Sequence, residues 1–347
     1  MKKQNNCLNF FKGLACIFVV AIHMRFPVDY IDGPIQSAAR FAVPFFFMVS
    51  GYYCFNEDKT IELSKLPKKV KHIAILCLGS FIFWFLFILI TQVDGGLTGI
   101  GEWLLTLVSF ESLYQFILFN VDPFIQILWF LFALLYCYIL FYIFARLNAV
   151  RILKFLILPL LIAHFTMGNI CNGLLDFSIP GYYYRNCWLM GMPLFMLGYV
   201  IHEYRQSILK KANSNVALIA IIAGGILAVC EWLIVGGRQQ MYIGSVITAS
   251  AMIIYSQWHE ENYVIKSVAI IGQKYSMLIY VLHYCIGICF DYIMAWIGIA
   301  DNFIFSCFRP SIVIILSIIS SVIVLYIWQK LSAIVNKIKK ILNLSEP

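Results

Sequence analysis

Charge is scarce in this chain: only 12% of its 347 residues are Asp, Glu, Lys or Arg, against about 25% in an ordinary soluble domain. A surface built from so few charged groups would have little to present to water, which excludes a soluble globular protein of this size. Linkers, internal repeats and low-complexity stretches are also missing. No P-loop, His-Glu-x-x-His or Gly-x-Ser-x-Gly motif occurs, so the common soluble nucleotide-binding, zinc-protease and hydrolase chemistries have no foothold. The eleven cysteines follow neither a disulfide framework nor a zinc spacing. Cys16, Cys77, Cys137, Cys230, Cys285 and Cys289 lie in apolar runs and read as small hydrophobes, while Cys171 and Cys187 could pair outside a membrane. Nor does a small-residue cleavage site follow the apolar run in 1–23. Arg25, Phe26 and Pro27 come next, so the run reads as a retained first helix and not as a signal peptide.

What the chain has instead is apolar length. Hydrophobic residues make up 62%, and the mean hydropathy is +0.86. Spanning a bilayer takes roughly 20 apolar residues per helix. Runs near that length occur at 8–24, 40–55, 71–91, 124–144, 151–166, 188–202, 217–236, 241–257, 276–297 and 310–330. These predict an all-α polytopic bundle of about ten spans, a single membrane-embedded domain over 1–347. The stretch 103–119 contains Ser109, Glu111, Ser112 and Gln115 and reads as an amphipathic segment on the membrane surface.

The placement of the basic residues orients the bundle. With the N-terminus in the cytoplasm, twenty of the twenty-five Lys and Arg fall inside, and only Arg25, Arg40, Arg185, Arg238 and Arg309 fall outside. The connection from Gln92 to Pro123 carries Asp94, Glu102, Glu111 and Asp122 and no basic residue. Both termini are therefore expected in the cytoplasm. The net charge of +8 reads as a topology signal rather than a nucleic-acid footprint.

Polar groups inside apolar runs are costly and become candidates for chemistry. Lys12 and His23 are eleven residues apart, almost three helical turns, so they share a face with roughly 16 Å between them along the axis. A snorkelling Lys and an interfacial His are the plainer reading of the same pair. Ser276, Tyr280 and His283 fall at i, i+4 and i+7 and form a polar stripe, which an interhelical hydrogen-bond cluster would also explain. Glu231, flanked by Cys230 and Trp232 in an apolar run, calls for a cationic partner such as Arg40 or His23, or a raised pKa. Asp291 is a similar case, and His164, Arg185 and Arg238 are further candidates.

Taken together these segments resemble acyltransferase family 3 of bacterial membrane proteins. Lys12 and His23 match the family's first helix in spacing, with Lys where the family uses Arg. Arg40-Phe41-Ala42-Val43-Pro44-Phe45-Phe46-Phe47-Met48-Val49-Ser50-Gly51-Tyr52 matches its second-helix pattern nearly in full. Trp129-Phe130-Leu131, the run from Pro193 to Gly198, and Gly272, Ser276, Tyr280 and His283 fit three further family segments in order.

The resemblance implies an acyl-CoA donor, usually acetyl-CoA, with no metal. It also implies an acceptor hydroxyl on a cell-surface or lipid-linked glycan and a place in the bacterial cytoplasmic membrane. The partners expected are thus the lipid bilayer, acyl-CoA and a glycan, with no nucleic acid. His23, Lys12, Arg40 and Glu231 are the catalytic candidates, His23 as general base or as nucleophile. Lys68, Lys69 and Lys71 would hold the donor's phosphates, with Ser276, Tyr280 and His283 also assigned to donor binding. A transporter or flippase on the same fold is the competing expectation, although the chain lacks the inverted repeats and interrupted spans typical of one.

Overall fold

Among its described residues (5–91, 96–123, 125, 127–261, 265–300 and 302–341) the computed structural model contains helices and connections and no strand. An apolar solvent favours this outcome, because a helix satisfies its backbone groups internally. In chain order the helices begin with α1 (Asn6–His23), α2 (Asp29–Ala39), α3 (Ala42–Tyr52), α4 (Lys59–Thr91), α5 (Gly96–Leu107), α6 (Phe110–Phe119) and α7 (Trp129–Arg146). They continue with α8 (Val150–Leu174), α9 (Met192–Glu203), α10 (Arg205–Lys211), α11 (Ser214–Val235), α12 (Ile243–Tyr255), α13 (Lys266–Ile297) and α14 (Phe303–Ile341). Three wider, π-helical stretches occur among the described residues: Thr166–Leu174 in α8, Cys187–Gly191 running directly into α9, and Ile271–Tyr275 in α13.

Seven of the described helices, α1, α4, α7, α8, α11, α13 and α14, are long and apolar enough to cross a membrane. The sequence runs suggested about ten. The other three, 40–55, 188–202 and 241–257, fall mainly in α3, α9 and α12, which have 11, 12 and 13 residues. At 1.5 Å per residue α3 and α12 are about 16–20 Å long, short of a hydrocarbon core of roughly 30 Å, while α9 is lengthened by the π-helical stretch Cys187–Gly191 before it. Their apolarity has a second cause, burial in protein: eight of the 11 residues of α3 are buried, against three of 22 in α11. Hydropathy alone does not distinguish lipid-facing from protein-facing residues.

Helix ends also differ from the apolar runs. Instead of starting at residue 71, α4 begins at Lys59, and its 33 residues are about 50 Å long. Lys, Glu and Leu are good helix formers, so the helix continues through its basic start. Asp58 caps it: its carboxylate accepts the Thr60 N–H at 2.8 Å and hydroxyl at 2.6 Å, which draws its pKa below the usual value. Along α4, Ile75, Leu78, Ile82, Leu86 and Ile90 form an exposed row, while Ile73, Cys77, Ser80, Trp84 and Ile88 are buried. Such an apolar, exposed row is what a bilayer would cover.

The chain forms two compact units, Met1–Leu8 with Tyr30–Asn262 and Asn9–Asp29 with Tyr263–Pro347. In the first, α3 and α9 cross at glycines: a Cβ on Gly51 would overlap the Phe195 carbonyl, and one on Gly198 would overlap that of Met48. The α11–α12 hairpin closes similarly through Gly224 and Gly244. Buried Glu62 accepts the Asn56 N–H at 3.1 Å, the Lys59 ammonium at 3.1 Å and the Tyr199 hydroxyl at 3.2 Å. The expected surface segment 103–119 folds as parts of α5 and α6, and α6 starts at an N-cap, Ser109, and buries none of its residues. In the second unit Phe290 of α13 stacks on Phe305 of α14 at 5.4 Å. All eleven cysteines are free thiols, Cys171 and Cys187 included.

Candidate active site

Within the second unit, α1 and the middle of α13 lie side by side and run parallel. Gly13 meets Val268 and Gly272, the Cys16 thiol lies 3.5 Å from the Ser276 carbonyl, His23 meets His283, and Met24 packs on Gly287. The partners advance together along both helices, which requires the same direction. Glycine makes this approach possible: a Cβ on Gly272 would overlap the Asn9 carbonyl and the Gly13 N–H, and would press on the Lys12 side chain. Lys12 and Gly272 therefore mark one end of the seam, and His23 and His283 lie further along it.

The imidazole rings of His23 and His283 are 5.1 Å apart between centroids and inclined at 45°. Tyr284 meets His23 edge-on at 5.9 Å, and Tyr280 lies 6.3 Å from His283. His283 is fully buried, whereas His23 is half-buried. The His283 Nδ1 lies 2.8 Å from the Tyr280 carbonyl and 3.0 Å from that of Ile279. Carbonyl oxygens only accept, so the Nδ1 carries the proton and donates, and the Nε2 is left with its lone pair. That Nε2 is buried and has no hydrogen-bond partner among the described residues. A half-exposed imidazole backed by a buried one is an arrangement suited to proton transfer.

Other sequence candidates lie in the first unit. Lys68 and Lys71 are exposed on α4, while the Lys69 ammonium donates to the Tyr53 carbonyl at 2.5 Å and stands over the Tyr138 ring. Arg40 is half-buried just after α2. The Glu231 carboxylate accepts the N–H groups of Ile243 and Gly244 at 2.9 and 2.8 Å, and so caps α12 with backbone donors instead of a cation. His164 is buried with its Nδ1 at 2.8 Å from the Tyr184 carbonyl. In the second unit Asp291 pairs with Arg309 at 2.7 Å. Among the described residues no three His, Cys, Asp or Glu side chains cluster as metal ligands.

Two features were not read from the sequence. Asp32 is fully buried and takes the Arg238 guanidinium at 2.6 Å. It sits in a polar stretch that reads as a connection, and its i+4 spacing to Gln36 was the available hint. Tyr52 stacks on His202 at 4.2 Å and donates to Gln257 at 2.7 Å, a contact between residues far apart in sequence.

Comparison with known proteins gives a family model described as an acyltransferase domain, of acyltransferase family 3, matched over residues 5–328. No curated protein and no solved structure matches the chain.

Proposed function

The chain belongs to the acyltransferase-domain family and is a membrane acyltransferase; from that premise we propose that it moves an acetyl group from acetyl-CoA to a glycan hydroxyl, with His23 as general base. The acceptor would be a cell-surface or lipid-linked glycan at the bacterial cytoplasmic membrane. The observation that carries this reading is the half-exposed His23 imidazole held against the buried His283.

In the proposed step His23 takes the proton of the acceptor hydroxyl as its oxygen attacks the thioester carbonyl. The carbon–sulfur bond then breaks, and the imidazolium returns the proton to the leaving thiolate, which departs as CoA thiol. General-base help of this kind contributes about 10²–10⁴-fold. Lys68 and Lys71 are assigned the donor's phosphates on charge and exposure, since ammonium groups bind phosphate as point charges. Lys12, at the other end of the His23 face, is assigned to the donor as well, in place of the family's arginine.

Protein purified into liposomes with labelled acetyl-CoA and glycan-bearing lipid tests the reading. Label should move to the glycan with the wild type and fail to move with His23→Ala. Full transfer by His23→Ala, or acceptor movement across the bilayer without acylation, would overturn it.

A further inference from the structure

We propose that the α5–α6 hairpin holds a glycolipid, with a hydrocarbon chain in the apolar cavity between α4, α5 and α6 and a phosphate-free sugar head on the adjoining surface of α6. The site stands on the geometry of the first unit alone. That its occupant is the acceptor of the acetyl group rests on the acyl-transfer reading.

The cavity has a volume of about 680 Å³, and its walls include Phe81 and Phe85 of α4, Leu104 of α5, Val108, and Leu113 and Phe116 of α6. Small-molecule sites run from about 300 to 1,000 Å³. Ring contacts hold the walls in place, Phe85 with Trp103 at 5.3 Å and Phe116 with Phe132 at 5.0 Å. Among the described residues the polar side chain lining the cavity is Ser112. Its hydroxyl donates to the Thr106 carbonyl at 2.7 Å and accepts the Ser109 hydroxyl at 2.9 Å. A polar ligand would give up its hydrogen bonds to water there without replacement, whereas a hydrocarbon chain has none to give up.

Lipid tails are as apolar as this cavity, so the chain gains only packing and the head has to supply selectivity. Successive helical residues are about 100° apart, which sets the row Glu111–Gln115 beside the cavity row Ser112–Phe116. Exposed Glu111 accepts the Gln115 amide at 3.0 Å. A carboxylate has about four acceptor sites, so sugar hydroxyls can join Gln115 there. Phe119 meets Tyr114 and Tyr182 at 5.6 Å and Tyr183 at 5.1 Å, a set of rings against which the C–H face of a sugar can pack. The Tyr182 phenol pKa is raised chiefly by its hydrogen bond with Tyr183 and also by nearby Glu111, which places that carboxylate beside the rings.

Charge narrows the head further. No Lys or Arg occurs between His72 and Ala145, while Glu102 and Glu111 are both exposed. Arg185, close in sequence to Tyr182 and Tyr183, stands over the Trp129 ring at 5.4 Å. A phosphate head would face carboxylates of its own sign, and a hydroxyl-bearing sugar would face acceptors for its donors.

Purified protein offered diglucosyldiacylglycerol or phosphatidylglycerol with the same chains, and read by native mass spectrometry, tests the site. Gly101 lines the cavity, and a Cβ there meets nothing within 4 Å, so Gly101→Phe should fold and occupy the space of the chain. The wild type should bind the glycolipid about tenfold more tightly than phosphatidylglycerol, and Gly101→Phe should lose about tenfold in glycolipid affinity. Gly101→Ala should keep wild-type affinity, and Glu111→Lys should abolish the preference between the two lipids. Unfolding temperatures check that each variant folds. Equal wild-type affinity for both lipids, wild-type glycolipid affinity in Gly101→Phe, or competition by the free disaccharide head as strong as by the glycolipid would overturn the proposal. In the liposome assay label should pass to the glycolipid, and binding without acylation would end its assignment as acceptor. Full transfer by His23→Ala with lipid binding intact would instead overturn the acyl-transfer reading and leave the lipid site standing.

Discussion

Gly272 of α13 rests against the backbone of α1 at Gly13, with no room for a methyl group between them. The contact lies three turns before His283 and sets how closely the two histidine-bearing faces approach. Gly287, at the other side of His283, meets only the flexible end of Met24. Gly272→Ala should therefore push the helices apart and reduce acyl transfer at least tenfold, whereas Gly287→Ala should keep most activity as Met24 moves aside. Rates normalised to folded protein in matched liposomes provide the comparison. Equal loss in both variants would count against the seam as the element that places His23.

A second glycine contact tests the fold alone. Gly51→Ala or Gly198→Ala would drive a methyl group into the facing carbonyl of α9 or α3, an overpacking that costs about 1–3 kcal/mol or more. Gly79→Ala serves as the control, because nothing lies within 4 Å of the added methyl. Unfolding temperatures in detergent should fall for the first two and hold or rise slightly for the third.

Glu62 is fully buried as a side chain and Tyr199 donates one of its hydrogen bonds. Tyr199→Phe keeps the ring and removes that donor. Hydrogen bonds to charged groups contribute about 1.5–3 kcal/mol, so the variant should unfold at lower temperature. An unchanged midpoint would mean that Lys59 and the Asn56 N–H satisfy the carboxylate by themselves.

Asp58 offers a pH test at the exposed start of α4. Its hydrogen bonds from Thr60 and Ile61 lower the folded-state pKa beneath the ordinary 3.8. A depressed carboxyl pKa stabilises the fold above the unfolded value, and this contribution is lost as pH falls through the folded one. The unfolding-temperature gap between wild type and Asp58→Ala should be full near neutrality and shrink below pH 3.8. A gap independent of pH would assign the cap to helix geometry and not to charge.

Lys68 and Lys71 carry the donor-binding assignment, and charge removal at both should raise KM for acetyl-CoA with little change in kcat. Lys68→Gln/Lys71→Gln should also flatten the salt dependence of that KM, since point-charge contacts are screened. Lys69→Gln would act differently, by releasing the Tyr53 carbonyl and lowering stability.

Composition alone determined the solvent: so few charges and so much apolar surface leave only a bilayer, and a bilayer leaves only helices for a chain of this pattern. Spacing alone also put Lys12 with His23 on one face, and Ser276, Tyr280 and His283 on another, because helical periodicity is local. Three things needed the tertiary structure. The short helices α3, α9 and α12 look like spans in a hydropathy count, since burial in protein and exposure to lipid select the same side chains. The caps on Glu231 and the Asp32–Arg238 pair join residues that no local pattern connects. And the meeting of His23 with His283, about 260 residues later in the chain, depends on glycines that let two backbones touch, a fit between surfaces that neither helix encodes by itself.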